Sequence, residues 1–176
     1  SELEKKAKSN GTKEPSTVDI VHVILREAKI RQLLVPANFP FIHATRLQEL
    51  GYSMKPKRDP FYERRVVKTA EEVRCIEAAQ RATEEAVAAA HAALKQATIR
   101  GGELWLDGEV LTSERIKKLI NVKLMERDCV AQHTIVAGGE QACDPHHEGT
   151  GPLPANRSII FDVFPRSAGS RYFADM

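Results

Sequence analysis

No run of apolar residues in this sequence is long enough to cross a membrane. Of the 176 residues 42% are hydrophobic, but the alanine-rich stretch at 86–93 is interrupted by His91 and bounded by Glu85 and Lys95. A membrane-spanning helix needs about 20 consecutive apolar residues. We therefore expect neither a membrane span nor a membrane partner.

The sequence also contains few cysteines, and its basic and acidic residues are nearly equal in number. The three cysteines, Cys75, Cys129 and Cys143, are widely spaced and form no CxxC pair, so we expect packing roles and a reducing, cytoplasmic setting. The 26 Lys and Arg against 24 Asp and Glu leave a net charge of +2, and the basic residues are scattered. Nucleic acid is therefore not an expected partner.

The composition is that of a folded globular protein, and its first part has a β/α pattern. Apolar residues at three- and four-residue spacing after Ser16 predict a helix, the run at 33–35 a buried strand, and 45–50 a second helix. The charged stretch at 53–60 contains two prolines. We interpret that change in composition as a strand end or an inter-domain connection, which predicts a domain boundary near residue 62.

The two ends of the sequence show few signals of regular structure. The opening, 1–15, is polar, with a turn signal at Asn10-Gly11, and we assign it no helix or strand. Met176 follows a strand pattern without a turn signal after it. We expect both ends to be cut.

The second part begins with helices and ends in strands. Thr69 starts a long helix that extends to Gly101, with Val73 on its apolar stripe, and Thr112 starts another helix that ends near Arg127. Short β-rich runs follow at 135–137, 158–164 and 171–174. The predicted fold class is α+β.

Two aspartates lie within the apolar strands of this C-terminal region. Asp162 follows Ile159-Ile160-Phe161, and Asp175 follows Tyr172-Phe173-Ala174. An ionised carboxylate in a covered strand costs several kcal/mol unless it is paired or coordinated. Some group must therefore compensate the charge of each aspartate.

A hairpin would bring the two carboxylates together. If the turn is centred on Ala168-Gly169, Asp162 lies directly opposite Asp175, with Cβ atoms about 5 Å apart. A divalent cation such as Mn, Mg, Co or Zn would make that pair favourable. In the alternative, one aspartate caps a turn and the other pairs with Arg166 or Arg171; the spacing leaves both interpretations open.

A second candidate cluster is the run Asp144-Pro145-His146-His147-Glu148. Neutral imidazoles can ligate metal, transfer protons or bind a substrate oxygen, although a histidine pair on a loop is more often a solvated turn. The remaining histidines are isolated in the sequence, and we expect structural roles for them: His22, His43, His91 and His133.

Several motifs occur in the order seen in one family. They are 65–72 leading into the long helix, 134–139, Pro145-His146, 159–162 and 172–176. In this order the sequence resembles the creatinase/aminopeptidase-like metallopeptidases, of the Xaa-Pro dipeptidase and aminopeptidase P type. The resemblance implies an α+β architecture: residues 1–62 end an α/β N-terminal domain like that of creatinase, and residues 63–176 form the first half of a pita-bread catalytic domain, truncated at Met176.

The resemblance also implies roles for three residues. Asp162 and Asp175 match the first two metal ligands of the family, and His146 matches a histidine that contacts the substrate or its oxyanion. The other ligands, a histidine and two glutamates of which one is the general base, match no part of this sequence. The sequence departs from the family pattern in the 13-residue interval between the aspartates and in Phe164, which stands where a glycine is common.

The implied function is that of a dinuclear metal-dependent Xaa-Pro peptidase, a prolidase-like hydrolase. We expect two divalent ions, manganese first and cobalt or zinc as alternatives, a peptide substrate with proline second, a cytoplasmic location and a homodimer. This chain alone should not catalyse the reaction. The alternatives are a non-catalytic pita-bread module that binds a peptide or protein, and an inactive fragment. Because half a sheet leaves strand edges unpaired, we also expect the chain to associate.

Overall fold

The computed structural model describes residues 1–9 and 14–176. Its internal contacts divide the chain into two compact units, Ser1–Val67 and Lys68–Met176. The turn predicted at Asn10-Gly11 lies outside the described residues.

The first unit is a small α/β arrangement. Its elements are α1 (Glu2–Ser9), α2 (Thr17–Glu27), β1 (Gln32–Pro36), α3 (Phe41–Glu49) and β2 (Ser53–Lys57). Strands β1 and β2 are parallel, with Gln32 opposite Ser53, so β1, α3 and β2 form a βαβ unit. The sequence pattern predicts β1 and α3, whereas it leaves the stretch that contains β2 as a strand end or a connection. Helix α2 begins at a capping box in which Ser16 and Asp19 satisfy each other's backbone amides.

Helix α1 lies where the sequence predicts no regular element. Its eight residues are mostly charged, and the buried side chain of Ala7 gives the helix a packing contact. Leu3 and Ala7 are the two apolar residues of the helix, and two positions are too few to establish a period, so the pattern of the sequence alone could not predict it. Helix α3 also begins at Phe41, before the predicted start at residue 45.

The second unit packs two helices against short antiparallel strands. Its elements are α4 (Ala70–Gln96), β3 (Thr98–Arg100), β4 (Glu103–Leu106), β5 (Glu109–Val110), α5 (Ser113–Met125), β6 (Cys129–Val130), β7 (Ile135–Gly138), β8 (Ile159–Asp162) and β9 (Arg166–Ser167). Short 3₁₀ turns occur at Glu63–Arg65 in the first unit and at Gly139–Cys143 in the second. Strand β7 pairs with β8, and β6 pairs with β9.

The core of the second unit lies between α4, α5 and the strands. Helix α4 presents a stripe of alanines, and α5 presents larger aliphatic side chains that fill the space next to it. The predicted stripe residue Val73 is 42% exposed, because the buried face of α4 is the alanine stripe. The buried residues include Ala86, Ala90, Ile116, Ile120, Leu124, Val136, Leu153 and Val163.

The cysteines differ in their surroundings. Cys129 is buried in the core, where burial raises the pKa of its thiol. Cys143 is exposed, so its predicted packing role is wrong. It lies in a 3₁₀ turn after β7, where the chain leaves the core.

Candidate functional site

The two aspartates lie on one face of a hairpin formed by β8, β9 and the segment up to Met176. Along this hairpin Val163, Pro165 and Ala174 are buried. Asp162, which precedes the buried Val163, is half-buried, and Asp175 is exposed. Because side chains alternate along a strand, both carboxylates are on the face opposite the core.

The register of this hairpin differs from the predicted one. The amide of Val163 donates to the Met176 carbonyl at 2.9 Å, the amide of Met176 donates back at 3.2 Å, and Arg166 pairs with Phe173. Asp175 therefore lies opposite Phe164, so the prediction that it lies directly opposite Asp162 is wrong. The two aspartates are diagonal neighbours with Cβ atoms about 7 Å apart.

The turn of the hairpin explains the shift. Four residues, 168–171, separate Ser167 from Tyr172, whose carbonyl accepts from the Ser167 amide at 3.0 Å. Arg171 adopts a left-handed conformation, with φ 67°. A wider turn moves the register by two residues, and a shift of two keeps every side chain on its face.

Neither aspartate has an electrostatic partner in the part of the chain that the structure describes. The ion pairs there include neither Asp162 nor Asp175, and they include neither Arg166 nor Arg171. The alternative in which an arginine compensates an aspartate therefore has no contact to support it. Two ionised carboxylates on neighbouring strands repel each other.

The residues present fit part of a divalent-metal site. Carboxylate oxygens are ligands that Mn and Mg prefer, and the two aspartates offer them on one surface. Within residues 1–9 and 14–176, however, no three His, Cys, Asp or Glu side chains are grouped closely enough to hold a metal ion. Further ligands are needed to complete such a site.

His146 lies on a separate loop, residues 144–151, which we call the His146 loop. Its side chain is 95% exposed, and its backbone amide donates to Asp144 Oδ1 at 2.9 Å. The loop returns along β7, where the Val136 amide donates to the Glu148 carbonyl at 3.0 Å, on the edge that faces away from β8. No described contact joins the imidazole of His146 to Asp162 or Asp175.

His147 has a structural role, unlike its neighbour. Its Nδ1 accepts from the Gly149 amide at 2.9 Å, which closes the turn between them. Of the histidine pair noted in the sequence, only His146 extends freely from the surface.

Three side chains from other elements fix the base of the His146 loop. Glu114, in the first turn of α5, accepts from the Thr150 hydroxyl at 2.8 Å and from the Gly151 amide at 3.0 Å. Lys117 Nζ donates to the Gly149 carbonyl at 2.8 Å, and Gln141 makes two bonds of 3.0 Å to the Thr150 backbone. Residues 149–151, with which the His146 loop ends, are therefore all held by hydrogen bonds to other elements.

The Glu114 carboxylate is strongly stabilised by these contacts. Its own backbone amide, the Gly151 amide and the Thr150 hydroxyl lower the pKa of Glu114 to about 2. The carboxyl is at the N-terminal end of α5, where the helix dipole also favours negative charge. The sequence places Glu114 near the start of a predicted helix but does not indicate these bonds, because the partners lie 36 and 37 positions away.

A second pair that the sequence did not indicate is His133 and Glu148. His133 Nδ1 lies 2.6 Å from Glu148 Oε1, and both side chains are partly exposed. His133 has φ 59°, a left-handed conformation that is uncommon outside glycine. His133 is isolated only along the sequence, since the fold brings it to a residue 15 positions away.

A small pocket lies beside the aspartate-bearing hairpin. It has a volume of about 200 Å³, and we call it the hairpin pocket. Its lining is partly apolar and partly polar: Val130, Gln132, His133, Phe164, Arg166 and Phe173. Phe164 and Phe173 come from the two arms of the hairpin that carry Asp162 and Asp175.

Comparison with known families identifies the group to which this chain belongs. The family model of metallopeptidase family M24 matches residues 74–176, which is more than half of the chain. The chain is a member of metallopeptidase family M24. A comparison with curated protein sequences gives no match.

Solved structures show the same fold. The X-Pro aminopeptidase from Thermotoga maritima MSB8 is 21% identical, with a TM-score of 0.70 over 93% of this chain and 43% of its own. The prolidase from Pyrococcus furiosus is 16% identical, with a TM-score of 0.66 over 93% of this chain and 50% of its own. A dipeptidase from Pyrococcus horikoshii OT3 is 23% identical, with a TM-score of 0.66 over 92% of this chain and 42% of its own.

These comparisons confirm the predicted resemblance and the α+β fold class, with structural relatives of the pita-bread type. The chain spans between 42% and 50% of the length of those three structures. None of the described helices is long and apolar enough to span a membrane.

Proposed function

We propose that this protein is a metal-dependent peptidase that hydrolyses the Xaa-Pro bond at the N-terminus of a peptide. The observation that carries the proposal is the pair of aspartates, Asp162 and Asp175. They share one hairpin face without a cationic partner among the described residues, inside the segment that matches family M24. Residues 1–62 are proposed to end an N-terminal domain, and 63–176 to form the first half of the catalytic domain.

The proposed roles follow from the chemistry of each side chain. Asp162 and Asp175 would hold part of a site for two divalent ions, with manganese as the expected metal. When bound, such ions activate water for attack on the carbonyl before proline. His146, held by a fixed loop and exposed at its tip, would contact the substrate carbonyl or its oxyanion. A cytoplasmic homodimer remains the expected setting.

The test of this proposal is manganese binding to the chain, followed by NMR. Mn²⁺ is paramagnetic, so it should broaden the backbone resonances of residues close to Asp162 and Asp175. Changing either aspartate to asparagine removes one anionic ligand, and Asp162→Asn or Asp175→Asn should each weaken Mn²⁺ binding by about tenfold.

Asp107→Asn is the matched control. Asp107 is an exposed aspartate in the turn between β4 and β5, outside the hairpin, and its variant should bind Mn²⁺ as the native chain does. Broadening centred away from the hairpin, or equal affinity in all three variants, would contradict the assignment and favour a non-catalytic binding module. With alanyl-proline and Mn²⁺ present, this chain alone should release no proline.

A further inference from the structure

The strand that runs from β6 into β7 contains one extra residue. Val130 lies opposite Arg166, and Ile135 lies opposite Asp162. Five steps along this strand therefore match four steps along its neighbour, which is the mark of a β-bulge. Bulges change the direction in which a side chain points, and they are frequent beside active sites.

The bulge is formed by Gln132 and His133. Ala131 packs against the core and Thr134 is buried, so the residues on both sides of this pair face inward. The pair itself lies opposite Phe164, on the face that carries the two aspartates, and His133 lines the hairpin pocket together with Phe164. The left-handed conformation of His133 thus belongs to the bulge and turns its side chain toward this face.

His133 is a diagonal neighbour of Asp162 across adjacent strands. Ile135 lies directly opposite Asp162, and His133 is two residues from Ile135 along the strand. Diagonal pairs have Cβ atoms about 7 Å apart, which is also the interval between Asp162 and Asp175. A gap of this width has room for one small polar group with a hydrogen-bond partner on each side.

Glu148 fixes the imidazole ring of His133. Nδ1 lies 2.6 Å from Glu148 Oε1, and the carbonyl of Glu148 is itself held by the Val136 amide at 3.0 Å. An ionised carboxylate can only accept a hydrogen bond. In the neutral ring Nδ1 therefore carries the hydrogen, and Nε2 is left as an acceptor. The two nitrogens lie on opposite sides of the ring, so Nε2 is directed away from Glu148.

The surroundings of this acceptor favour a cation. Within the described residues neither Asp162 nor Asp175 takes part in an ion pair. Arg166, the arginine of the hairpin pocket, is four residues from Asp162 and therefore about 13 Å away along the strand. An acceptor nitrogen beside unpaired carboxylates is complementary to an ammonium group, which offers only donors and carries a positive charge.

We propose that Nε2 of His133 accepts a hydrogen bond from the free N-terminal ammonium group of the peptide, with Asp162 on the other side of that group. This inference rests on the proposed function and makes His133 a residue that determines specificity, with Glu148 as its positioning residue. In a peptide the N-terminal nitrogen is two covalent bonds, about 2.5 Å, from the carbonyl carbon before proline. A carbonyl held beside the aspartates therefore places the ammonium group beside them as well.

The experiment is an NMR titration of the 176-residue chain, without added metal, using alanyl-proline amide and N-acetyl-alanyl-proline amide. Neither probe has a carboxylate, so the two differ only at the N-terminus. The free amine should shift the ring resonances of His133 and should bind about tenfold more tightly than the acetylated probe, because only the ammonium group forms a charge-assisted bond.

Two variants of His133 test the acceptor. His133→Phe keeps an aromatic ring but removes Nε2, and the preference for the free amine should fall below about twofold. In His133→Gln the side-chain oxygen can take the place of Nε2, so part of the preference should return. His91→Phe is the matched control, because His91 is an exposed histidine of α4, and its variant should keep the full preference.

Glu148→Gln tests the positioning role separately. A glutamine amide can donate as well as accept, so it no longer selects one tautomer of the ring. The ¹⁵N spectrum of the His133 ring should then show hydrogen on both nitrogens in turn, and the preference for the free amine should decrease. A Glu148 that only stabilised the fold would leave the tautomer unchanged. Equal binding of both probes by the native chain, a preference that persists in His133→Phe, or shifts confined to another surface would each overturn the assignment.

The manganese measurement distinguishes this inference from the proposed function. If Mn²⁺ broadens the hairpin but His133→Phe keeps the preference for the free amine, His133 is wrongly assigned and the peptidase proposal stands. If the preference depends on His133 but Asp162→Asn does not affect Mn²⁺ binding, the ammonium contact is correct and the metal assignment is wrong.

Discussion

Gly149→Ala should lower the free energy of unfolding of the second unit by about 3–5 kcal/mol. A Cβ at this position would lie 1.8 Å from the carbonyl oxygen of Val136 and 2.5 Å from its carbonyl carbon. Both atoms belong to the backbone of β7, which cannot move without breaking its pairing with β8. Gly149 also has φ 82°, a conformation that strains any residue with a Cβ.

Gly151→Ala is the control for this prediction. Gly151 has a similar backbone conformation, φ 72°, but a Cβ there would meet no atom within 4 Å. Only the conformational strain remains, so the loss should be about 1 kcal/mol.

Urea unfolding monitored by fluorescence measures both variants. Trp105 is the single tryptophan and lies in β4 of the second unit, so its signal reports that unit. Equal losses for the two variants would contradict the close approach of the His146 loop to β7.

The closeness of Gly149 to β7 also bears on the proposed site. The Val136 amide bonds to the Glu148 carbonyl, next to Gly149, so any residue that pushes Gly149 outward also moves Glu148. Glu148 is the partner of His133, which lines the hairpin pocket. A change at Gly149 should therefore disturb the pocket rim as well as the stability.

Local patterns were enough to predict the helices other than α1 and the common face of the aspartates. Ser16 and Thr69 each begin a helix through a capping box, and this chemistry lies within four residues. The face on which a side chain lies depends only on whether its position along the strand is odd or even. Asp162 and Asp175 therefore share a face, although the predicted register of the hairpin differs from the observed one by two residues. The predicted register failed because it assumed a two-residue turn, whereas Arg171 adopts a left-handed conformation within a turn of four.

Contacts between distant positions could not be predicted in the same way. Glu114 is an ordinary first-turn glutamate in the sequence, and its bonds to Thr150 and Gly151 exist only after α5 and the loop are packed. His133 and Glu148 likewise meet because β7 places them at one edge. Each pair needs the tertiary fold, and no local period encodes it.

Glu114→Gln should lower the free energy of unfolding by about 1.5 kcal/mol at pH 7. Charge-assisted hydrogen bonds contribute about 1.5–3 kcal/mol, and the lower end applies because the Glu114 carboxylate is exposed and screened by solvent. The glutamine keeps one acceptor oxygen, but it lacks the negative charge that the Gly151 amide and the Thr150 hydroxyl bind. The loss should appear in the same Trp105 fluorescence measurement.

The size of this loss should depend on pH in a defined direction. The pKa of Glu114 is lowered from 4.5 to about 2 in the folded protein. Between these values the unfolded chain binds the proton and the folded protein does not, so the contribution of Glu114 is complete above 4.5 and disappears as the pH falls toward 2. The difference in the free energy of unfolding between the native chain and Glu114→Gln should therefore decrease as the pH falls from 4.5 to about 2. The other carboxylates titrate in both proteins, so their contributions cancel in this difference.

Glu126→Gln supplies the matched comparison at the other end of α5. Glu126 pairs with Lys123 at 2.8 Å on the surface, a type of contact that contributes less than about 1 kcal/mol. Its substitution should change stability little at pH 7 and should show no comparable narrowing down to pH 2. A Glu114→Gln difference that stays constant between pH 7 and 2 would show that the carboxylate does not hold the His146 loop through its charge. Amide hydrogen exchange at Gly151 locates the effect, because the Gly151 amide donates to Glu114 and should exchange faster when the anionic acceptor is lost.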